Sequence, residues 1–267
     1  VGVVHAAAIE WAVTRNASSQ PWSLPVVAET WDGGLNDING FHVKPAHVFS
    51  AIEGARGGAV LEGNTGGGTG MVCYEFKCGT GTASRRVSSP AGAFTVGVLV
   101  QANHGARRLL RVAGAPVGAE MPRASAGGAD AAGAGDDAVR PSKSIIIVVA
   151  TDAPLLPHQL KRLARRASLG LARTGSVSSD SSGDIFIAFS TAGVRETGTA
   201  DTFEVSMLSS RPITALFEAT VQATEEAIIN ALVAAETMTG ADGQTVEAIS
   251  HQRLRQVLEK YGRLTSR

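Results

Sequence analysis

Hydrophobic residues recur with two different periods along this chain, and the places where the period changes predict its elements. The run Ser144-Ile-Ile-Ile-Val-Val-Ala-Thr-Asp is apolar and β-branched almost to its end, which predicts a strand buried on both faces. Ala93–Gln101 (AFTVGVLVQ) and Asp184–Ser190 (DIFIAFS) read as further strands. Between them, Pro157–Arg173 places Leu160, Leu163, Ala164, Ala167 and Leu171 on one stripe, with Lys161, Arg162, Arg165 and Arg166 opposite. That is an amphipathic helix whose basic face is solvated surface. Pro212–Thr237 repeats Leu216, Ala219, Ala223, Ala227 and Ala231 near helical spacing, and Gly240 follows as a stop. Ser250 reads as the N-cap of a last helix bearing Leu254, Val257, Leu258 and Tyr261. Val3, Val4, Ala7, Ala8 and Trp11 are helix-like from the first residues, so the frame reads as N-terminally incomplete and any secretory signal lies outside it. Strands and helices without strict alternation predict packed layers rather than a regular βαβ repeat.

Composition sharpens this picture. A chain of 267 residues can bury a sizeable core. Its 24 basic and 24 acidic residues cancel, which excludes a general electrostatic grip on nucleic acid or on an acidic membrane. No apolar run approaches the roughly 18–20 residues that cross a bilayer. Glu120–Lys143 holds no aromatic and almost no large apolar residue, so it cannot offset its chain entropy and reads as a flexible linker. The linker gives way abruptly to the interior strand at Ser144. Cys73 and Cys78 are too few for a disulfide framework, and a lone C-x4-C falls short of a zinc site. No metal and no cofactor are expected.

The candidate chemistry narrows by elimination. The cluster Gly63-Asn64-Thr65-Gly66-Gly67-Gly68-Thr69-Gly70 suggests a phosphate loop, but no Gly-Lys-Ser/Thr completes one and no third glycine stands at dinucleotide spacing. It reads as a turn or a packed loop lining a pocket. There is no G-x-S-x-G elbow, and none of the six histidines sits in a motif that makes it a base. A serine that becomes N-terminal needs no histidine, because its own α-amine, with a pKa of about 8, can take the hydroxyl proton. Such an enzyme must first cut itself where a flexible stretch runs into a rigid strand, and Lys143-Ser144 is such a junction. The residues alone also allow Ser144 to be a plain strand edge. Ser182 and Asp184 at the entrance of a strand can point the same way and hold an amine, or form a simple turn. Glu29-Thr30-Trp31-Asp32-Gly33 and Asn36–Gly40 form either a turn-rich loop or one wall of a site for a positive group.

Six collinear stretches, Pro25–Pro45, Glu62–Phe76, Thr95–Gly105, Ser144–Gly175, Ser181–Ala192 and Leu216–Gly240, resemble the P1 peptidases of the L-aminopeptidase/D-amidase/D-esterase type, also called β-peptidyl aminopeptidases. The resemblance implies an α+β fold, a four-layer αββα sandwich like that of N-terminal nucleophile hydrolases but differently connected. It implies one catalytic domain that cuts itself into an α portion, residues 1–143 with the linker at 120–143, and a β portion, residues 144–267. By the same resemblance Ser144 is the nucleophile, Ser182 and Asp184 orient its freed amine, Asn103 helps form the oxyanion hole, and Glu29 receives the substrate ammonium. The implied substrates are short peptides, amino-acid amides or esters. The implied assembly is a homo-oligomer of αβ units, in the cytoplasm or, alternatively, the periplasm. Members of this family usually carry Gly before the nucleophile, where this chain has Lys143. A processing-incompetent, non-catalytic remnant is therefore the alternative. A relative of the ornithine acetyltransferases, which use an N-terminal Thr, is a more distant one.

Overall fold

The computed structural model describes residues 1–15, 17, 22–90, 92–122, 144–192 and 205–264. Its centre is a four-stranded mixed sheet in the order β3-β4-β5-β6. Strands β3 (Thr80–Ser89) and β4 (Gly92–Asn103) form an antiparallel hairpin, and β4 pairs antiparallel with β5 (Ser144–Thr151) from Val96↔Thr151 to Asn103↔Ser144. Helix α4 (Pro157–Arg173) then returns the chain to β6 (Ile185–Ser190), which runs parallel to β5. Upstream lie α1 (Gly2–Thr14), α2 (Pro45–Glu53) and a short hairpin of β1 (Val72–Cys73) and β2 (Phe76–Lys77). A short helix, α3 (Val117–Glu120), follows β4. The chain closes with α5 (Ile213–Val233), the ribbon β7 (Met238–Thr239) and β8 (Thr245–Val246), and α6 (His251–Lys260).

Strand alternation divides the sheet into two faces. Val96, Val98, Val100 and Ala102 of β4 lie beside Ile145, Ile147 and Val149 of β5, all buried in one core with Leu163, Ala167 and Leu171 of α4 and Leu216, Ala223 and Ala227 of α5. Gln101, Asn103 and Ser144 belong to the opposite face. Small residues let α5 lie directly on β3, since a Cβ at Gly81 would stand 2.0 Å from the carbonyl oxygen of Ala227. The alanine repeat expected from the sequence is thus a packing stripe, with Ala223, Ala227 and Ala231 buried.

Several boundaries shift for identifiable reasons. Helix α5 stops at Val233, short of Thr237, because Asn64 takes the backbone of Glu236 at both ends: Asn64 Nδ2 donates to its carbonyl (2.8 Å) and its N–H donates to Asn64 Oδ1 (3.1 Å). Gly240 is consequently no helix stop. It lets the chain pass Leu35, where a Cβ would come within 2.6 Å of the backbone. Strand β4 continues two residues past Gln101, which brings Asn103 into register with Ser144. Glu120, expected to open the linker, ends α3 and accepts hydrogen bonds from Lys260 Nζ (2.8 Å) and Tyr261 Oη (2.7 Å). The rest of that stretch from residue 123, with Lys143, lies outside the described residues. The two cysteines, too few for a framework, bond to each other: Cys73–Cys78 closes the β1-β2 hairpin. Among the described residues no helix is long and apolar enough to cross a membrane.

Candidate active site

Ser144 is the first residue of β5 and is buried to within 9% of its surface. Its place is set by pairing on both sides. Strand β4 puts Asn103 directly across from it on the same face, where opposite side chains of an antiparallel pair lie about 5 Å apart. From the other side, the loop entering β6 brings the Gly183 N–H to Ser144 Oγ, which accepts at 2.8 Å. The hydroxyl oxygen is therefore oriented while its proton stays available to a base.

The Ser182 and Asp184 pair forms a carboxylate cradle. Asp184 Oδ1 accepts from Ser182 Oγ (2.6 Å) and from the backbone N–H of Ile145 (3.0 Å), the residue after Ser144. Asp184 Oδ2 accepts from Ser178 Oγ (2.7 Å). Ser178 had no signal in the sequence. It stands six residues before Asp184, and its left-handed backbone (φ 47°) turns the chain so that the hydroxyl comes back to the carboxylate. A carboxylate held by three donors beside the N-terminal end of β5 is well placed for an ammonium at that end.

Asn103 is almost fully buried, and both ends of its amide are used. Oδ1 accepts from the N–H of Val72 (3.0 Å) and Nδ2 donates to the carbonyl of Trp31 (2.7 Å). An amide nitrogen carries two hydrogens, so the bond to Trp31 leaves one for another acceptor near Ser144. The supports of Asn103 are built carefully. Tyr74 and Glu75, the turn of the β1-β2 hairpin, both adopt positive φ, as a two-residue hairpin turn requires. The Cys73–Cys78 bond and the Tyr74 N–H donating to His104 O (2.7 Å) hold that hairpin against the end of β4. Tyr74 Oη, whose pKa burial pushes up, bonds Thr174 Oγ1 at 2.7 Å after α4.

Glu29 stands apart. It is exposed, on the segment that leads into the buried Thr30. Its link to the cluster runs along the chain, through Thr30 and Trp31, to Asn103. Asp32 and Asn36 from the same stretch bond each other (2.5 Å) in a turn, as the turn-rich reading expects. Ser144, Asn103, Ser182 and Asp184 are thus brought together, with Glu29 on the adjoining loop. The glycine cluster packs beside them as a closely fitted loop. Fully buried under it is Lys77, whose Nζ donates to the carbonyls of Cys78 (2.5 Å) and Gly68 (3.4 Å) and whose pKa burial pulls down to about 8.

An oriented serine hydroxyl at the head of a strand, with a carboxylate at its N-terminal side and an amide across from it, defines a serine hydrolase of the N-terminal-nucleophile class. The chain belongs to peptidase family S58, whose family model matches residues 1–246. It is 52% identical over 272 residues to the beta-peptidyl aminopeptidase BapA of Sphingosinicella microcystinivorans, a match covering 100% of this chain and 68% of that protein. To BapA of Sphingosinicella xenopeptidilytica it is 48% identical, over 97% of this chain and 66% of the relative. The chain thus spans about two thirds of the length of these relatives. Among solved structures, the L-aminopeptidase D-Ala-esterase/amidase of Ochrobactrum anthropi, described as a variant of the Ntn hydrolase fold, superposes with a TM-score of 0.87 at 48% identity, covering 99% of this chain and 72% of that one. A beta-aminopeptidase from a Burkholderia species gives 0.84 at 47% identity, over 98% and 71%. These matches favour a hydrolase of the aminopeptidase/amidase class over a non-catalytic remnant or an acyltransferase.

Proposed function

We propose that this protein is a self-processing aminopeptidase that releases N-terminal residues from short peptides, amino-acid amides or esters. Ser144 acts twice. First its hydroxyl attacks the carbonyl of Lys143, the acyl group moves from nitrogen to oxygen, and water hydrolyses the resulting ester. The products are a carboxylate on residue 143 and a free α-amine on Ser144. That amine then accepts the Ser144 hydroxyl proton as Oγ attacks a substrate carbonyl, and it returns the proton to the leaving amine. Water releases the acyl group from Oγ. Asp184, with Ser182, orients the amine, and the second N–H of Asn103 stabilises the developing oxyanion. Glu29 offers a carboxylate to the substrate's own ammonium.

The observation that carries this reading is the convergence on one end of β5 of the Ser144 hydroxyl, the Asp184 carboxylate and the Asn103 amide. The relatives' names make β-aminoacyl amides the first substrates to try. An assembly of αβ units belongs to the same proposal. A buried disulfide suits an oxidising compartment such as the periplasm better than the cytoplasm. The deciding experiment is the intact mass of freshly purified protein with N-terminal sequencing. Two chains are expected, one beginning Ser144-Ile-Ile-Ile. Ser144→Ala should give one uncut chain without amidase activity, and amidase activity in that variant would remove Ser144 from its role.

A further inference from the structure

The face of β4 that carries Asn103 carries a second amide one pleat away. Gln101 Nε2 donates to Thr30 Oγ1 at 2.6 Å, while Asn103 Nδ2 donates to the Trp31 carbonyl at 2.7 Å. Consecutive same-face residues of one strand thus hold consecutive residues of the segment that follows Glu29. Thr30 is buried, with its hydroxyl against Met71 Sδ, whereas Glu29 beside it is exposed. The anchored residue fixes where its exposed neighbour can reach. The glycine cluster completes the arrangement. A Cβ at Gly67 would stand 1.9 Å from Gln101 Oε1, so the bare backbone there is what leaves the amide its place.

From this geometry we propose that Gln101, seated by Gly67, is a positioning residue for the substrate-ammonium wall. Resting on the function proposed above, it sets the affinity for substrates with a free amine through Thr30 and leaves the chemical step at Ser144 to Asn103. The segment Glu29–Trp31 is then registered against the same strand that carries the oxyanion donor. Ammonium and scissile carbonyl are held at a fixed separation, which is how a peptidase confines itself to the first residue of its substrate.

The test is a double-mutant cycle on the purified, processed protein with an amino-acid amide as substrate. Gln101→Ala should raise KM roughly tenfold, the loss carried by one hydrogen bond of ordinary strength, with kcat within about threefold. Gly67→Ala should reproduce that effect, because its Cβ pushes the amide aside. In the Gln101→Ala background Gly67→Ala should add almost nothing, since the group it displaces is gone. Hydrogen exchange of the amides around Thr30 and Trp31 should quicken in each variant, a readout that does not depend on activity. Unchanged exchange, additive effects of the two substitutions, or a fall in kcat at constant KM would each overturn the inference. If wild-type protein hydrolyses no amide at all, the proposed function fails and this role with it, and the exchange experiment still reports whether the clamp exists.

Discussion

At the scale of single residues, the Asn103 amide and the Lys77 ammonium show how burial turns a polar group into a device. On the proposed function, Asn103→Ala removes the oxyanion donor, and loss of such a donor costs about 10²–10³ in turnover. The expected result is a protein that slows by that factor in kcat for amides, measured under saturating substrate, with Ser144 still present. Lys77 is different, since it is buried among carbonyls with its pKa lowered to about 8 from the ordinary lysine value of 10.5. Below pH 8 both folded and unfolded chains hold its proton, and the cost of burying the charge is fully present. Between about pH 8 and 10.5 the unfolded chain keeps a proton that the folded chain has lost, so stability rises with pH across that window. The full gain is about 3 kcal/mol at 1.36 kcal/mol per unit. Urea unfolding of wild type against Lys77→Met at pH 7.5 and pH 10 checks it: the rise should be missing from the variant.

At the scale of elements, the close approach of α5 to β3 is the contact that leaves least room for change. Gly81→Ala must push a methyl against the Ala227 carbonyl, and overpacking of this kind costs about 1–3 kcal/mol. A lowered midpoint in denaturant is expected, and an unchanged one would mean that the helix moves freely on the sheet. The β1-β2 hairpin acts at the same scale on the site. It supplies the Val72 N–H that fixes Asn103, and the Cys73–Cys78 bond ties its two strands. Reduced protein, or Cys73→Ser, should therefore lose kcat more than stability. Parallel assays of turnover and thermal melting with and without reductant measure the two separately.

At the scale of the whole molecule, the portions on either side of Ser144 share one sheet. Strand β4 from the first portion is hydrogen-bonded along β5 of the second, and α5 lies across β3 and β4. Cutting before Ser144 should leave the two chains in one particle, visible as a single species by native mass spectrometry and as two masses only under denaturant. Much of this was legible beforehand. The β-branched run after Ser144 reads as an interior strand, the stripe of Pro157–Arg173 as an amphipathic helix, and the resemblance carried by the collinear stretches named the serine, the carboxylate and Asn103. The strand and the helix are properties of local period and residue type, which a one-dimensional pattern records. What pattern does not record is which carbonyl an amide meets across the sheet. Ser178 reaches Asp184 because of a left-handed turn, Gln101 reaches Thr30 across more than seventy residues of chain, and Cys73 finds Cys78 because a hairpin folds between them. Glu29 was named through the resemblance, yet its place relative to Ser144 is set by how Thr30 and Trp31 hang from β4. The sequence by itself determined strands β4 to β6, helices α4 to α6 and, through the resemblance, most of the kinds of group at the head of β5, while β3 carried no signal that was read. The tertiary structure alone decided their register and supports, because pairing across strands depends on where non-neighbouring backbones meet.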